Sequence, residues 1–318
     1  MIAIFSSNSH HGRFAGRIAT AAAAMLIFAL TSAANAQQSF KTPDEASDAL
    51  VSAARKGDRD AILNVLGRNA ADIVSSGDPV ADAAIREQFV SAYDAKHQVA
   101  QDANGKATMI IGADDFPFPI PLVRHNGMWR FDTAAGRLEV LYRRIGRNEI
   151  DTIQACLAYV DAQNEYAEKD RTGAGAGVYA QRIISQSGKK DGLYWPTAQG
   201  EEPSPLGDLI AAATEQGYRF GGTRAPFHGY YYKILTRQGA NALGGALDYV
   251  VRGKMIGGFA LVAYPAEYGN SGVTTFLVNH DGVVFEKDLG ANTPQIAGRM
   301  TTFNPDQTWR KVDVAALQ

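Results

Sequence analysis

The 318-residue sequence has one cysteine, Cys156, so no intramolecular disulfide can form and stability must come from the core. Histidine is scarce too. Beyond the N-terminal stretch there are only His97, His125, His228 and His280, with no His-x-x-x-His and no Glu-His pair at ligand spacing, and no metal site is expected. A Gly-x-Ser-x-Gly elbow is absent. The glycine-rich run 173–177 lacks the Gly-Lys-Ser/Thr ending of a phosphate loop, and only Asp170 beside it could ligate calcium, so it reads as a flexible turn. No basic stripe exists and the net charge is −2, which excludes a nucleic-acid partner. After Leu30 no apolar run is long enough to span a bilayer.

What is present begins with an address. Arg13 and Arg17 form a basic region, Ala19 to Leu30 is apolar, and Ala34-Asn35-Ala36 fits the small-x-small rule. Residues 1–36 therefore read as a signal peptide cut between Ala36 and Gln37, and the protein as periplasmic or secreted, with no transmembrane anchor after cleavage. Loss of Arg13 and Arg17 takes the basic residues from 31 to 29 against 33 acidic ones, about −4 net. A hydrophobic content of 46% with 20% charge is that of a globular chain.

The pattern predicts an α+β protein of two domains, each with helix packed on antiparallel sheet. In the first, 37–142, Thr42-Pro43 opens a helix that Gly57-Asp58 ends. A short helix carries Ile62, Leu63 and Leu66, and a third runs over 82–93 with Phe89 on its apolar face. Strands follow at 107–111, 119–124 and 128–132, the last two joined by His125-Asn126-Gly127, a hairpin signal. Residues 136–147 read as a basic, mostly helical connector: a solvated face packing Leu138, Leu141 and Ile145, with an anion site on its arginines as the alternative.

In the second domain, 143–318, a helix over 150–168 carries Ile150, Ile153, Leu157 and Val160 on one stripe, with Cys156 buried and inert. Residues 227–235 are an aromatic strand. Residues 259–290 read as a three-stranded meander turning at Asp281-Gly282, its apolar face covered by that helix.

Three resemblances bear on this plan. The run from Thr42 to Asp58 with the late Met128-Trp129-Arg130-Phe131-Asp132 strand looks like the nuclear-transport-factor-2-like fold, which implies a cone with a ligand pocket. Gln163 and Tyr166 on the helix, Tyr230-Tyr231-Tyr232 and the meander from Phe259 to Phe285 resemble the globular part of type IV pilins and pseudopilins. Arg143, Arg144, Arg147 and Glu149 stand where a pilin has its apolar filament helix, which argues against the implied assembly role and leaves a pilus-related cap as the weakest reading. Over nearly the whole mature chain, Asp114-Asp115-Phe116-Pro117, Asp191-Gly192-Leu193-Tyr194-Trp195-Pro196, His228-Gly229-Tyr230-Tyr231 and Val278-Asn279-His280-Asp281-Gly282 are similar to a bacterial envelope family, domain-of-unknown-function family 2950, which implies no activity and carries over no catalytic residue.

The residues thus suggest a non-enzymatic binding protein of the cell envelope with no cofactor. An exposed aromatic platform in the second domain, with Trp195, Tyr230, Tyr232 and Tyr268, would meet an envelope protein or glycan. Alternation sends Tyr230 and Tyr232 to one face and Tyr231 to the other. His280 and Asp281 join these as candidate binding residues; adjacent at a turn, they read as turn residues rather than a base pair. The alternative is small-ligand binding or hydrolysis in a first-domain pocket near Asp114, Asp115, Trp129 and Asp132.

Overall fold

A computed structural model describes residues 37–198, 200–220 and 225–317. The expected signal peptide lies outside the described residues. The class is α+β, with antiparallel sheets in two regions of the chain.

Helix α1 (Pro43–Lys56) starts where the sequence places it. Thr42 Oγ1 accepts from the Glu45 N–H at 3.1 Å, Pro43 sits in the first turn, and Gly57 closes the helix at φ +64°. Three further helices follow: α2 (Arg59–Leu66), α3 (Ala71–Val74) and α4 (Pro79–Ala95). They cover a sheet of β1 (His97–Gln101), β2 (Ala107–Ile111), β3 (Phe116–Pro117), β4 (Leu122–His125) and β5 (Met128–Phe131), ordered β1-β2-β4-β5 with β3 also on β2. Phe40 extends it by exchanging two backbone bonds with Trp129. The β4–β5 hairpin turns on Asn126 and Gly127, both at positive φ, the backbone that a two-residue turn between right-twisted strands requires. β1 had no sequence signal, because an exposed polar edge strand does not alternate.

Helix α5 (Thr133–Ala167) joins what the sequence reads as a connector and a separate helix. Its 35 residues span roughly 52 Å at 1.5 Å each. No proline occurs between Pro121 and Pro196, and interior Gly146 costs only about 1 kcal/mol, so nothing breaks it. The expected boundary between residues 142 and 143 falls within this helix. Leu141 belongs to a core with α1, α2 and the first sheet; Ile153, Cys156, Tyr159 and Val160 belong to a second core. Two expected core residues face solvent instead: Leu138 is 59% exposed and Ile150 44%, since both lie off the stripes the sheets cover.

Beyond α6 (Gly207–Glu215), the second sheet has the order β15-β13-β12-β11-β6, all antiparallel. Its strands are β6 (Tyr230–Leu235), β11 (Ala260–Pro265), β12 (Thr274–Asn279), β13 (Phe285–Asp288) and β15 (Arg310–Lys311). The meander is present as β11-β12-β13, under the C-terminal half of α5. Gly282 turns at φ +72°, yet β12 and β13 pair only from Leu277 and Phe285 outward, so the turn sits in a longer loop than a tight hairpin. Smaller ribbons, β7 (Arg237–Gln238) with β8 (Leu247–Asp248) and β14 (Thr302–Phe303), and β9 (Val250–Val251) with β10 (Lys254–Met255), flank it. Helix α7 (Thr293–Arg299) packs on β11, and Lys233 Nζ donates to its Gly298 carbonyl at 2.9 Å.

Cys156 is fully buried, and burial pushes its thiol up to about 12. A thiolate-selective reagent should therefore label it only at the rate of global unfolding; labelling of the folded protein within minutes would place it in an accessible site.

Candidate functional site

The first core is not packed solid. A pocket of about 510 Å³ opens between α4, α5 and the sheet, within the range of roughly 300–1,000 Å³ typical of ligand sites. Leu50 and Ala54 of α1, Ile62 and Leu66 of α2, and Ile111 and Ile120 line its depth. Phe89 and Phe118 meet there at 5.3 Å between ring centres.

Two helices supply the rim by the same geometry. From α4 come Asp82, Ile85, Arg86 and Phe89; from α5 come Val140, Arg143, Arg144 and Arg147. Each set follows i, i+3, i+4, i+7 spacing, one face of a helix. Asp78 caps α4 by accepting from Val80 and Ala81 N–H groups, which fixes the angle at which its row enters. The Arg143 guanidinium lies 4.5 Å from the ring centre of Phe116, a phenylalanine left 44% exposed at the mouth.

Arg144 is different from its neighbours. It is buried, and its guanidinium donates to the Asp72 carbonyl at 2.8 Å, to the Ile73 carbonyl and to Asn270 Oδ1. Burial holds its pKa below the usual arginine value, while Asp82 and Asp72 pull the other way. Asp82 spends both oxygens on the Ser76 N–H, at 3.1 and 3.0 Å. One turn further on α5, Asn148 donates to the Ser271 carbonyl and Glu149 Oε1 accepts from the N–H groups of Val273 and Thr274. Asp78 Oδ2 accepts from the Tyr218 hydroxyl and the Gly229 N–H. The pocket wall is thus bonded directly to loops of the second core.

The sequence-derived candidates lie elsewhere. Trp195 is 4% exposed, edge-on to Tyr166 at 6.4 Å. Tyr230 is fully buried, with its hydroxyl donating to the Thr274 carbonyl at 3.0 Å. Tyr232 is half-buried, and its hydroxyl turns inward toward Thr152 Oγ1 and the Phe227 carbonyl, both at 3.4 Å. Helix α5 covers the face that Tyr230 and Tyr232 share, while the Tyr231 ring lies tilted beside that of Tyr264, 5.8 Å between centres. An exposed aromatic platform is therefore not formed: these rings are the largest apolar surfaces available where helix meets sheet. Tyr268 stays near the surface, donating to Asp288.

His280 Nε2 stands 3.9 Å from Asp281 Oδ1, too long for a hydrogen bond, and the ring packs edge-on to Tyr249 and Phe259. Asp281 accepts from Asn279 Nδ2 at 3.1 Å within the turn. Asp114 is exposed in the β2–β3 turn, where Asp115, at φ +55°, pairs with Lys96. Neither aspartate reaches the pocket, nor does Trp129, held by Phe40, nor Asp132, which caps α5. Among the described residues no group of three or more His, Cys, Asp and Glu could hold a metal.

Three of the arginines the sequence assigned to a solvated face, Arg143, Arg144 and Arg147, thus line the site, while Arg137 pairs with Asp72 outside it. The usable signal was their register: Arg143, Arg144 and Arg147 share a face with Val140, whereas a solvated basic face lies opposite the apolar one. Two other clefts, of about 520 and 560 Å³, have charged walls carrying Arg182, Asp191 and Lys254, and Arg55, Glu87 and Asp94.

Fold and pocket together define an α+β protein whose helix-covered first sheet encloses an apolar, arginine-rimmed cavity. Residues 37–312 match the family described as Protein of unknown function (DUF2950), and the chain belongs to that family. None of the curated proteins and none of the solved structures compared with the chain matches it. Among the described residues no helix is long and apolar enough to cross a membrane.

Proposed function

We propose that the protein is an exported, non-catalytic binding protein of the cell envelope, and that the first-sheet pocket holds a small, mainly apolar molecule. The observation that carries this reading is the pocket wall itself: Ile, Leu, Val and Phe in the depth, with Arg86, Arg143 and Arg147 at the rim and the two buried charges, Asp82 and Arg144, bonded to backbone and amide groups. Hydrolysis is disfavoured by the same wall, which includes no Ser, Thr, Cys, His, Tyr or Lys and whose single carboxylate is committed to the Ser76 N–H. Export rests on the N-terminal pattern of Arg13, Arg17, the apolar run and Ala34-Asn35-Ala36.

Titration of the mature protein with the neutral fluorescent probe N-phenyl-1-naphthylamine tests the pocket. Saturable binding at one site is expected. Ala92→Phe projects a ring into the pocket from α4 and should weaken probe binding by about tenfold or more, while shifting stability by no more than about 1 kcal/mol. Unchanged binding in a folded Ala92→Phe variant would remove this pocket as the site.

A further inference from the structure

We infer that the occupant of this pocket is an amphiphile with an anionic head: an alkyl or acyl chain among Ile85, Phe89, Phe118 and Ile120, and a carboxylate or phosphate on Arg86, Arg143 and Arg147. The inference rests on reading the pocket as a ligand site and names the chemistry of its ligand.

The charge at the rim is one-sided. Four arginines and one aspartate line the pocket, and that aspartate is occupied by the Ser76 backbone. Among the described residues neither Arg86 nor Arg147 has a carboxylate within 4.0 Å. Arg143 pairs only with Glu139 one turn back, a surface pair of small worth. Arg144 gives its donors to two carbonyls and an amide, so its charge is solvated by dipoles and not cancelled by a bonded carboxylate.

Such an arrangement costs the fold something. Like charges at i, i+4, as at Arg143 and Arg147, destabilise a helix by roughly 0.2–0.5 kcal/mol. Arg144 beside them adds to the repulsion each feels; on the facing row of α4 the one acidic residue, Asp82, acts on Arg144, while Arg86 brings a fourth positive charge to the rim. An anion shared by the rim removes that repulsion. Guanidinium forks match the oxygen pairs of carboxylate and phosphate, and the bonds are charge-assisted.

The depth of the pocket selects against other anions. A nucleotide or sugar phosphate would bury hydroxyls and ring nitrogens against Leu, Ile and Phe side chains that offer no hydrogen bond, at a cost of about 1–3 kcal/mol for each group left unpaired. An alkyl chain has no such groups and gains roughly 0.8 kcal/mol per methylene buried.

The test is displacement of N-phenyl-1-naphthylamine from the mature protein by dodecanoate, dodecyl phosphate and dodecanol, each below its micelle concentration. Both anions are expected to displace the probe at concentrations about tenfold lower than the alcohol, an advantage that shrinks as salt is raised. The double variant Arg143→Gln/Arg147→Gln should abolish the difference between anion and alcohol while the probe itself still binds. The better of the two anions identifies a fatty-acid or a phospholipid-type head. Equal displacement by dodecanol and dodecanoate, or an unchanged preference in the double variant, would overturn the anionic head and leave the pocket standing. Failure of all three to displace a bound probe would overturn the amphiphile, and failure of the probe to bind would overturn the pocket reading.

Discussion

Gly136→Ala should destabilise the protein by up to about 2 kcal/mol, although alanine is the better helix former. Gly136 lies in the first turn of α5, where propensity alone would reward the change by about 1 kcal/mol. A methyl there would stand 2.5 Å from the Pro119 carbonyl oxygen, 2.6 Å from Ile120 Cα and 2.8 Å from Ile120 Cγ1. Two of those three atoms are backbone, so no rotamer change relieves the overlap, and overpacking of this kind costs about 1–3 kcal/mol on its own. Relief requires α5 to move away from the 119–121 segment, and Pro119 and Ile120 are part of the pocket wall. Probe affinity should therefore fall with stability. Urea unfolding measures the first effect; a gain in midpoint would show that helix and segment do not approach this closely.

The second large effect is expected at Arg144. Arg144→Met keeps much of the side-chain volume but strands the Asp72 and Ile73 carbonyls and Asn270 Oδ1, all partners of one guanidinium. A buried acceptor left without its donor costs about 1–3 kcal/mol, and with three of them a loss of about 3 kcal/mol is expected in urea unfolding. Arg144→Lys should recover only part of it, because an ammonium cannot hold three acceptors in the plane of a fork. Arg147→Met, at an unpaired rim position, should stay within about 0.5 kcal/mol of the native protein. An Arg144→Met variant equally close to native would mean that water replaces the guanidinium in the junction.

These two residues mark what the sequence does and does not disclose. Elements governed by local backbone chemistry were legible: the Thr42 cap, the Gly57 terminus, the Asn126-Gly127 hairpin and the β11-β12-β13 meander all follow from residue types close in the chain. The candidate site was not. Arg144 reads as a solvated charge because its acceptors come from residues 72 and 126 positions away. Trp195 and Tyr230 read as a platform because an aromatic side chain carries the same pattern in a core as on a surface. The pocket is a gap between a helix row at 82–89 and another at 140–147, and no property of either row alone specifies the distance between them.

Helix α5 has a consequence for how this molecule can be taken apart. One uninterrupted rod supplies a wall to both cores, so a chain cut at any point within 133–167 leaves each fragment with a severed apolar stripe facing water. The halves are not portable cassettes that recombination or gene fusion could exchange at their midpoint. Tolerated insertions belong instead in the exposed turns at 113–115, 173–177 and 243–245, where added residues interrupt no helix and no sheet.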